Sequence, residues 1–214
     1  MLRITANREE KCFKRIKERV PNIDIDFSLE LNKGEKILLI GSNGSGKSSL
    51  LSAIAMALQY SNQTVNNYWA INCINIASKS PVFYFDFELF DPKTFYRTSS
   101  ERQIFEKHYR LGSHREVVDD ELKQRLKTFR AGLGDSAVIL FDEPEDGMDY
   151  RSQKKMSTWV NDRIGETDMG IIATNCYYLV YGDLPRLDLD KFPIRKSYTD
   201  RRVRIYTPRK NKIK

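Results

Sequence analysis

The sequence predicts an α/β fold, with a largely parallel sheet covered by helices and a small N-terminal antiparallel β piece beside it. Three observations carry this. Lys36-Ile-Leu-Leu-Ile40, Ala137-Val-Ile-Leu-Phe141 and Met169-Gly-Ile-Ile-Ala-Thr174 are short apolar runs, as strands buried on both faces are. Helical patterns alternate with them. The stretch from Asn22 to Leu31 alternates strictly, with Ile23, Ile25, Phe27, Leu29 and Leu31 on one face, which predicts a half-buried strand.

Taken in order, Asn32-Lys-Gly-Glu35 reads as a turn into the first buried strand. Ser48 to Tyr60 follows as a helix with Leu50, Leu51, Ile54 and Leu58 on one side. Residues 61–80 are polar and Asn-rich and read as a surface excursion. Val82-Phe-Tyr-Phe85 is a strand candidate, and residues 96–110 and 115–131 read as helices. In the second of these, Val118, Leu122, Leu126 and Phe129 recur at helical spacing. Arg151 to Ile164 predicts an amphipathic helix with Met156, Trp159, Val160 and Ile164 inward. No repeat and no linker divides the chain, so residues 1–214 are expected to form one domain.

Composition narrows the class. Hydrophobic residues make up 40% and charged residues 30% of the 214, ordinary for a globular chain. No apolar run approaches the roughly 18 residues of a membrane span, and the first residues lack an apolar signal core. Cys12, Cys73 and Cys176 have no metal-like spacing and read as reduced thiols, which suggests a cytoplasmic protein. The net charge of +7 is uneven. Residues 191–214 hold ten Lys/Arg and one Asp, leaving −2 for the rest. This basic C-terminal segment reads either as solvated surface or as a binder of polyanions, most simply nucleic acid.

Gly41-Ser42-Asn43-Gly44-Ser45-Gly46-Lys47-Ser48, followed by Ser49, matches G-x-x-x-x-G-K-[ST] between a strand and a helix, the context a phosphate-binding P-loop requires. Its backbone N–H groups and the helix N-terminus supply positive potential. Lys47 is the candidate for the β- and γ-phosphates of ATP, and Ser48 for Mg²⁺. The run Val138-Ile-Leu-Phe-Asp142-Glu143-Pro144 ends a strand in two carboxylates. Beside the P-loop, Asp142 would sit near Mg²⁺ and Glu143 would orient or deprotonate an attacking water.

A P-loop followed by this Asp-Glu-Pro resembles an ABC-type ATPase. Glu145-Asp-Gly-Met-Asp149 is similar to the family's D-loop, with Asp149 at its aspartate. The resemblance implies two copies that sandwich ATP head to tail, each P-loop facing the other copy's signature motif. Leu111-Gly-Ser113-His114-Arg115-Glu116 resembles the Ser-His-Gly-Glu signature of compact SMC/RecF-like bacterial and phage ATPases, with Arg115 in place of the glycine. Asp-Glu-Pro-Glu and Arg-Ser-Gln at 151–153 resemble the same group. The family's switch histidine is replaced by Asn175, which offers a hydrogen bond to phosphate but no charge. Glu88 is preferred over Asp86 as the Q-loop residue. Phe13 is either an adenine-stacking ring or a core residue, His114 an interface candidate and His108 a solvated helix residue.

The expectation is therefore an ATP- and Mg²⁺-dependent ATPase that forms a homodimer on ATP binding. The resemblance implies action on nucleic acid or beside a nuclease partner. A slow-hydrolysing, nucleotide-gated module that binds a protein partner is the alternative, favoured by Asn175 and Arg115. A transporter's cytosolic subunit is a third reading, disfavoured by the non-matching signature and the basic tail.

Overall fold

The computed structural model describes residues 1–59, 68–70, 72–78, 80–87, 114–132 and 136–191. The expected helix at 96–110, most of the 61–80 excursion, the segment beyond Lys191, and Glu88, His108 and Ser113 lie outside them, as do the side chains of His114 and Arg115. The elements are β1 (Leu2–Ala6), α1 (Glu10–Arg19), β2 (Ser28–Leu31), β3 (Lys36–Ile40), α2 (Lys47–Gln59), β4 (Ile74–Ala77) and β5 (Val82–Asp86). They continue with α3 (His114–Ala131), β6 (Val138–Asp142), α4 (Tyr150–Gln153), α5 (Met156–Arg163), β7 (Met169–Ala173), α6 (Tyr177–Val180) and β8 (Arg186–Asp188).

Five strands form a parallel sheet in the order β5-β6-β7-β3-β8. Every residue of β6 and β7 is buried, which is why both read as unbroken apolar runs. The second sheet, β2-β1-β4, is antiparallel. The helix α2 lies between the two sheets and touches β4 on one side and β5, β6 and β7 on the other. A helix covered on opposite faces must be apolar around most of its circumference, and Leu50, Leu51, Ala53, Ile54 and Ala55 are fully buried. Each buried Leu or Ile contributes about 1.5–3 kcal/mol relative to an exposed one. The opposite face of the parallel sheet is covered by α3 and α5, around Leu122, Phe141, Met156 and Val160. Asp119 joins those two helices by accepting from Trp159 Nε1 at 2.9 Å and from both Nε and Nη2 of Arg163.

Register decides where chemistry can gather. Asp86 lies opposite Asp142, Asp142 opposite Ala173, and Leu39 opposite Ala173. The carboxyl ends of β3, β5, β6 and β7 therefore reach one edge of the sheet, where ligands of open α/β sheets bind.

The expected strand at 22–31 is shorter than its alternation suggests. Asp24 Oδ1 accepts the Asp26 N–H at 3.0 Å, and the Asp24 carbonyl accepts the Phe27 N–H at 3.0 Å. This Asx-type turn competes with the sheet ladder, so the ladder with β1 covers only Ser28–Leu31 and Ile25 is left 42% exposed. The antiparallel sheet is completed instead by Leu2–Ala6 and by Ile74–Ala77, the latter within the expected polar excursion. The expected helix at 151–164 forms two pieces, α4 and α5. At their junction the Lys155 N–H turns to the Ser152 carbonyl at 3.0 Å, three residues back. Among the described residues no helix is long and apolar enough to cross a membrane.

Candidate functional site

The P-loop connects β3 to α2 along that strand-end edge. Gly46 has φ +94°, and a Cβ there would lie 2.8 Å from the Val20 Cα, so the close approach of the end of α1 requires glycine. Lys47 is buried and donates through Nζ to the Gly41 carbonyl at 3.0 Å and the Ser42 carbonyl at 3.4 Å. Asn43, Gly44, Gly46, Lys47, Ser48 and Ser49 line a cleft of about 610 Å³ with Glu18, Arg19, Glu143 and Asp146.

Ser42 and Ser45 are placed differently. The Ser42 N–H and hydroxyl both donate to the Asp190 carboxylate, at 2.5 and 2.9 Å, so its donors face the end of β8 and not the cleft. Ser45 is buried, and its hydroxyl has no hydrogen-bond partner among the described residues. In this geometry the cleft is offered the backbone of residues 43–48, the Lys47 ammonium and the α2 N-terminus.

The floor of the cleft is acidic. The Ser48 hydroxyl donates to Asp142 Oδ1 at 3.0 Å. The Tyr84 hydroxyl lies 3.4 Å from Asp142 Oδ2 and 3.3 Å from Asp86 Oδ2. Burial, then the charges of Asp142 and Asp86, push the Tyr84 phenol well up, so it stays a donor. Burial pushes the Asp142 carboxyl up to about 7, the Asp86 and Glu143 charges add to this, and the hydrogen bonds from Ser48 and Tyr84 oppose it. A hydroxyl and a carboxylate 3.0 Å apart, with a second carboxylate behind, are hard oxygen donors with excess negative charge. That donor set fits Mg²⁺, which takes one or two protein oxygens and fills its shell with water and phosphate. Among the described residues no cluster of three or more His, Cys, Asp or Glu forms an all-protein metal cage.

The rim is built from the residues just beyond the ends of β6 and β7. Glu143 has a left-handed backbone, φ 52°, and its N–H donates to the Ala173 carbonyl at 2.9 Å. Left-handed backbone is uncommon for a non-glycine residue and turns this side chain out of the strand path. Asn175 Nδ2 donates to Glu143 Oε1 at 3.1 Å. Glu145 accepts the Thr174 hydroxyl at 2.7 Å and the Asn175 N–H at 2.5 Å.

The structure thus brings together residues 43–48, Asp142, Glu143 and Asn175. It places Asp149 as the N-cap of α4, accepting the Ser152 N–H at 2.8 Å, with backbone hydrogen bonds holding its carboxyl below the usual range. Asp86 faces Asp142 across the sheet. His114 and Arg115 begin α3, and Glu116 in its first turn is exposed. Phe13 is half-buried on α1 against the core and is not among the residues lining the cleft. Sequence reasoning missed Asp190, Tyr84, Arg19 and the paired contacts of Glu145. A carboxylate three residues after Asp142 was the one visible signal, and its partners lie about 30 residues away.

Fold and cleft define a P-loop nucleotide-binding α/β protein. A family model described as ABC transporter matches residues 25–146, more than half of the sequence. The chain belongs to the ABC transporter family, as an ABC-type ATPase domain. Members of this family use ATP with Mg²⁺, and their ATPase domains dimerise.

The chain is 30% identical over 162 residues to "Lactococcin-G-processing and transport ATP-binding protein LagD" of Lactococcus lactis subsp. lactis, covering 61% of this chain and 23% of the relative. It is 25% identical over 190 residues to "ATP-binding cassette sub-family A member 9" of Mus musculus, covering 79% and 12%. Identity to "ATP-dependent lipid A-core flippase" of Neisseria meningitidis serogroup B is 24% over 181 residues, covering 70% and 28%. The chain spans between 12% and 28% of the length of these relatives. Two of them are named for transport or flipping. That weighs against the expectation of an ATPase apart from transporters and lends nothing to the SMC/RecF-like placement.

Proposed function

We propose that this chain binds ATP·Mg²⁺ in the cleft between the P-loop and the ends of β6 and β7, and hydrolyses it in a head-to-tail homodimer. The observation that carries this is the arrangement of two adjacent carboxylates. Asp142 is buried 3.0 Å from the Ser48 hydroxyl, while Glu143 opens onto the cleft with Asn175 at 3.1 Å. Lys47 exchanges its two loop carbonyls for the β- and γ-phosphate oxygens, and the N–H groups of residues 43–48 cradle the rest. Ser48 and Asp142 would hold Mg²⁺, which offsets phosphate charge when bound. Glu143 orients the attacking water and takes its proton, and the Asn175 amide holds Glu143 or the γ-phosphate in place. Asn175 cannot carry the charge a histidine would, so turnover is slow. Measured phosphate release should depend on Mg²⁺ and fall at least about 100-fold in Glu143→Gln. Unchanged release would remove Glu143 from this role.

What the ATPase drives follows from its partner. The names of the relatives favour a membrane transporter subunit, at whose cytoplasmic face the domain would work. A second reading, an SMC/RecF-like clamp on nucleic acid or beside a nuclease, is favoured by the ten Lys/Arg against one Asp in residues 191–214. Such binding would weaken steeply with salt, with a slope near −0.9 per phosphate contacted on duplex DNA. No DNA or RNA affinity at low salt in the presence of ATP would sink that reading.

A further inference from the structure

We propose that Glu145 is a positioning residue for hydrolysis: its carboxylate clamps residues 174–176 so that the Asn175 amide meets Glu143. This rests on the hydrolytic reading above. The strands β6 and β7 run parallel with Asp142 opposite Ala173, so the chain leaves both strands side by side. Beyond β6 the Asp146 N–H donates to the Glu143 carbonyl at 2.9 Å, and the Met148 N–H to the Glu145 carbonyl at 3.0 Å. These two turns fold the chain back and bring the half-buried Glu145 carboxylate to the end of β7.

Both carboxylate oxygens are used there. Oε2 accepts the hydroxyl of the fully buried Thr174 at 2.7 Å, and Oε1 accepts the backbone N–H of Asn175 at 2.5 Å. Thr174 Oγ1 in turn accepts the Cys176 N–H at 2.9 Å. One carboxylate therefore holds three consecutive residues, two directly and one through a hydroxyl. Hydrogen bonds to an ionised acceptor are about twice as strong as neutral ones.

Asn175 needs such support. It is exposed, and its amide has no net charge to draw it toward Glu143. The 3.1 Å contact between them depends on where the backbone of residue 175 is held. Both Glu145 carboxylate oxygens are taken by Thr174 and Asn175, so it acts through Asn175 and Glu143.

The test is steady-state kcat and KM for ATP with Mg²⁺ on the full chain carrying Glu145→Ala, Glu145→Gln, Asn175→Ala, or Glu145→Ala with Asn175→Ala. Glu145→Ala should lower kcat by roughly 10- to 100-fold with KM little changed. Glu145→Gln should recover most of it, because its carbonyl still accepts from Asn175 and its NH₂ donates to the Thr174 oxygen. In the Asn175→Ala background, Glu145→Ala should add little, since the two act as one unit. Full additivity, or an unchanged kcat in Glu145→Ala, would overturn the clamp. If Glu145→Ala does not fold, Thr174→Val removes the hydroxyl's two bonds, to Glu145 and from the Cys176 N–H, at nearly constant shape. It should lower kcat in the same direction, and an unchanged kcat there would also overturn the clamp. Wild-type turnover that Glu143→Gln leaves intact contradicts the hydrolytic reading itself. Turnover that Glu143→Gln abolishes and Glu145→Ala spares overturns the clamp alone.

Discussion

The floor and the rim of the nucleotide cleft use the same chemical group in opposite ways. On the floor, Asp142 is 2% exposed, set against Asp86 and capped by the hydroxyls of Ser48 and Tyr84. On the rim, one residue later, Glu143 leaves the strand with φ 52° and accepts from the neutral Asn175 amide at 3.1 Å. The last sheet position buries its carboxylate and raises its pKa. The first position beyond the sheet turns its carboxylate outward. Two neighbouring acids are thereby separated in role by environment, one suited to hold a cation and one to handle a proton.

The largest effect that sharpens this contrast lies on the floor. Asp142 is pushed up to about 7 in the folded protein, above its ordinary value of 3.8. A raised pKa means the folded chain holds the proton more tightly than the unfolded chain. The stabilisation from that proton is complete below the ordinary value and is lost as pH rises through about 7. Nucleotide-free protein should therefore lose up to roughly 3 kcal/mol of unfolding free energy between about pH 5 and about pH 8 from this group. Asp142→Asn should flatten that slope in denaturant titrations and make the protein relatively more stable at the alkaline end. An unaltered slope in the mutant would mean Asp142 is ionised in the folded state throughout. ATP·Mg²⁺ should also shrink the wild-type slope, because metal binding takes the charged form.

A smaller effect probes the rim. Asn175→His should raise turnover several-fold, because an imidazole at that point can place positive charge near the charge developing on the γ-phosphate. A fall would mean the rim, including the Glu145 clamp, is built around the amide.

What the sequence makes legible follows the range of the interactions. The buried strands and P-loop are local patterns, and Lys36–Ile40, Val138–Asp142 and Met169–Ala173 lie within one or two residues of their expected bounds. Asp142 and Glu143 follow, because a strand end fixes where its last side chains go. Alternation over residues 22–31 overstates the strand because the Asp24 carboxylate accepts from the Asp26 N–H, an option that alternation alone does not weigh. The strands Leu2–Ala6 and Ile74–Ala77 are four or five residues long and pair across about 70 residues of sequence. At the site, the contacts Ser42–Asp190 and Glu145–Asn175 span 148 and 30 residues, and no local spacing marks them.

The proposed role of Glu143 is to commit bound ATP to hydrolysis between two copies of the chain. The most direct measurement is the solution mass of Glu143→Gln with and without ATP·Mg²⁺, taken beside its phosphate release. Glutamine keeps the shape and the contact with Asn175 but removes the base. The expected result is a species of about twice the monomer mass that accumulates only with ATP·Mg²⁺, while phosphate release is nearly abolished. Phosphate release at the wild-type rate, with a single species at all nucleotide conditions, would contradict that role.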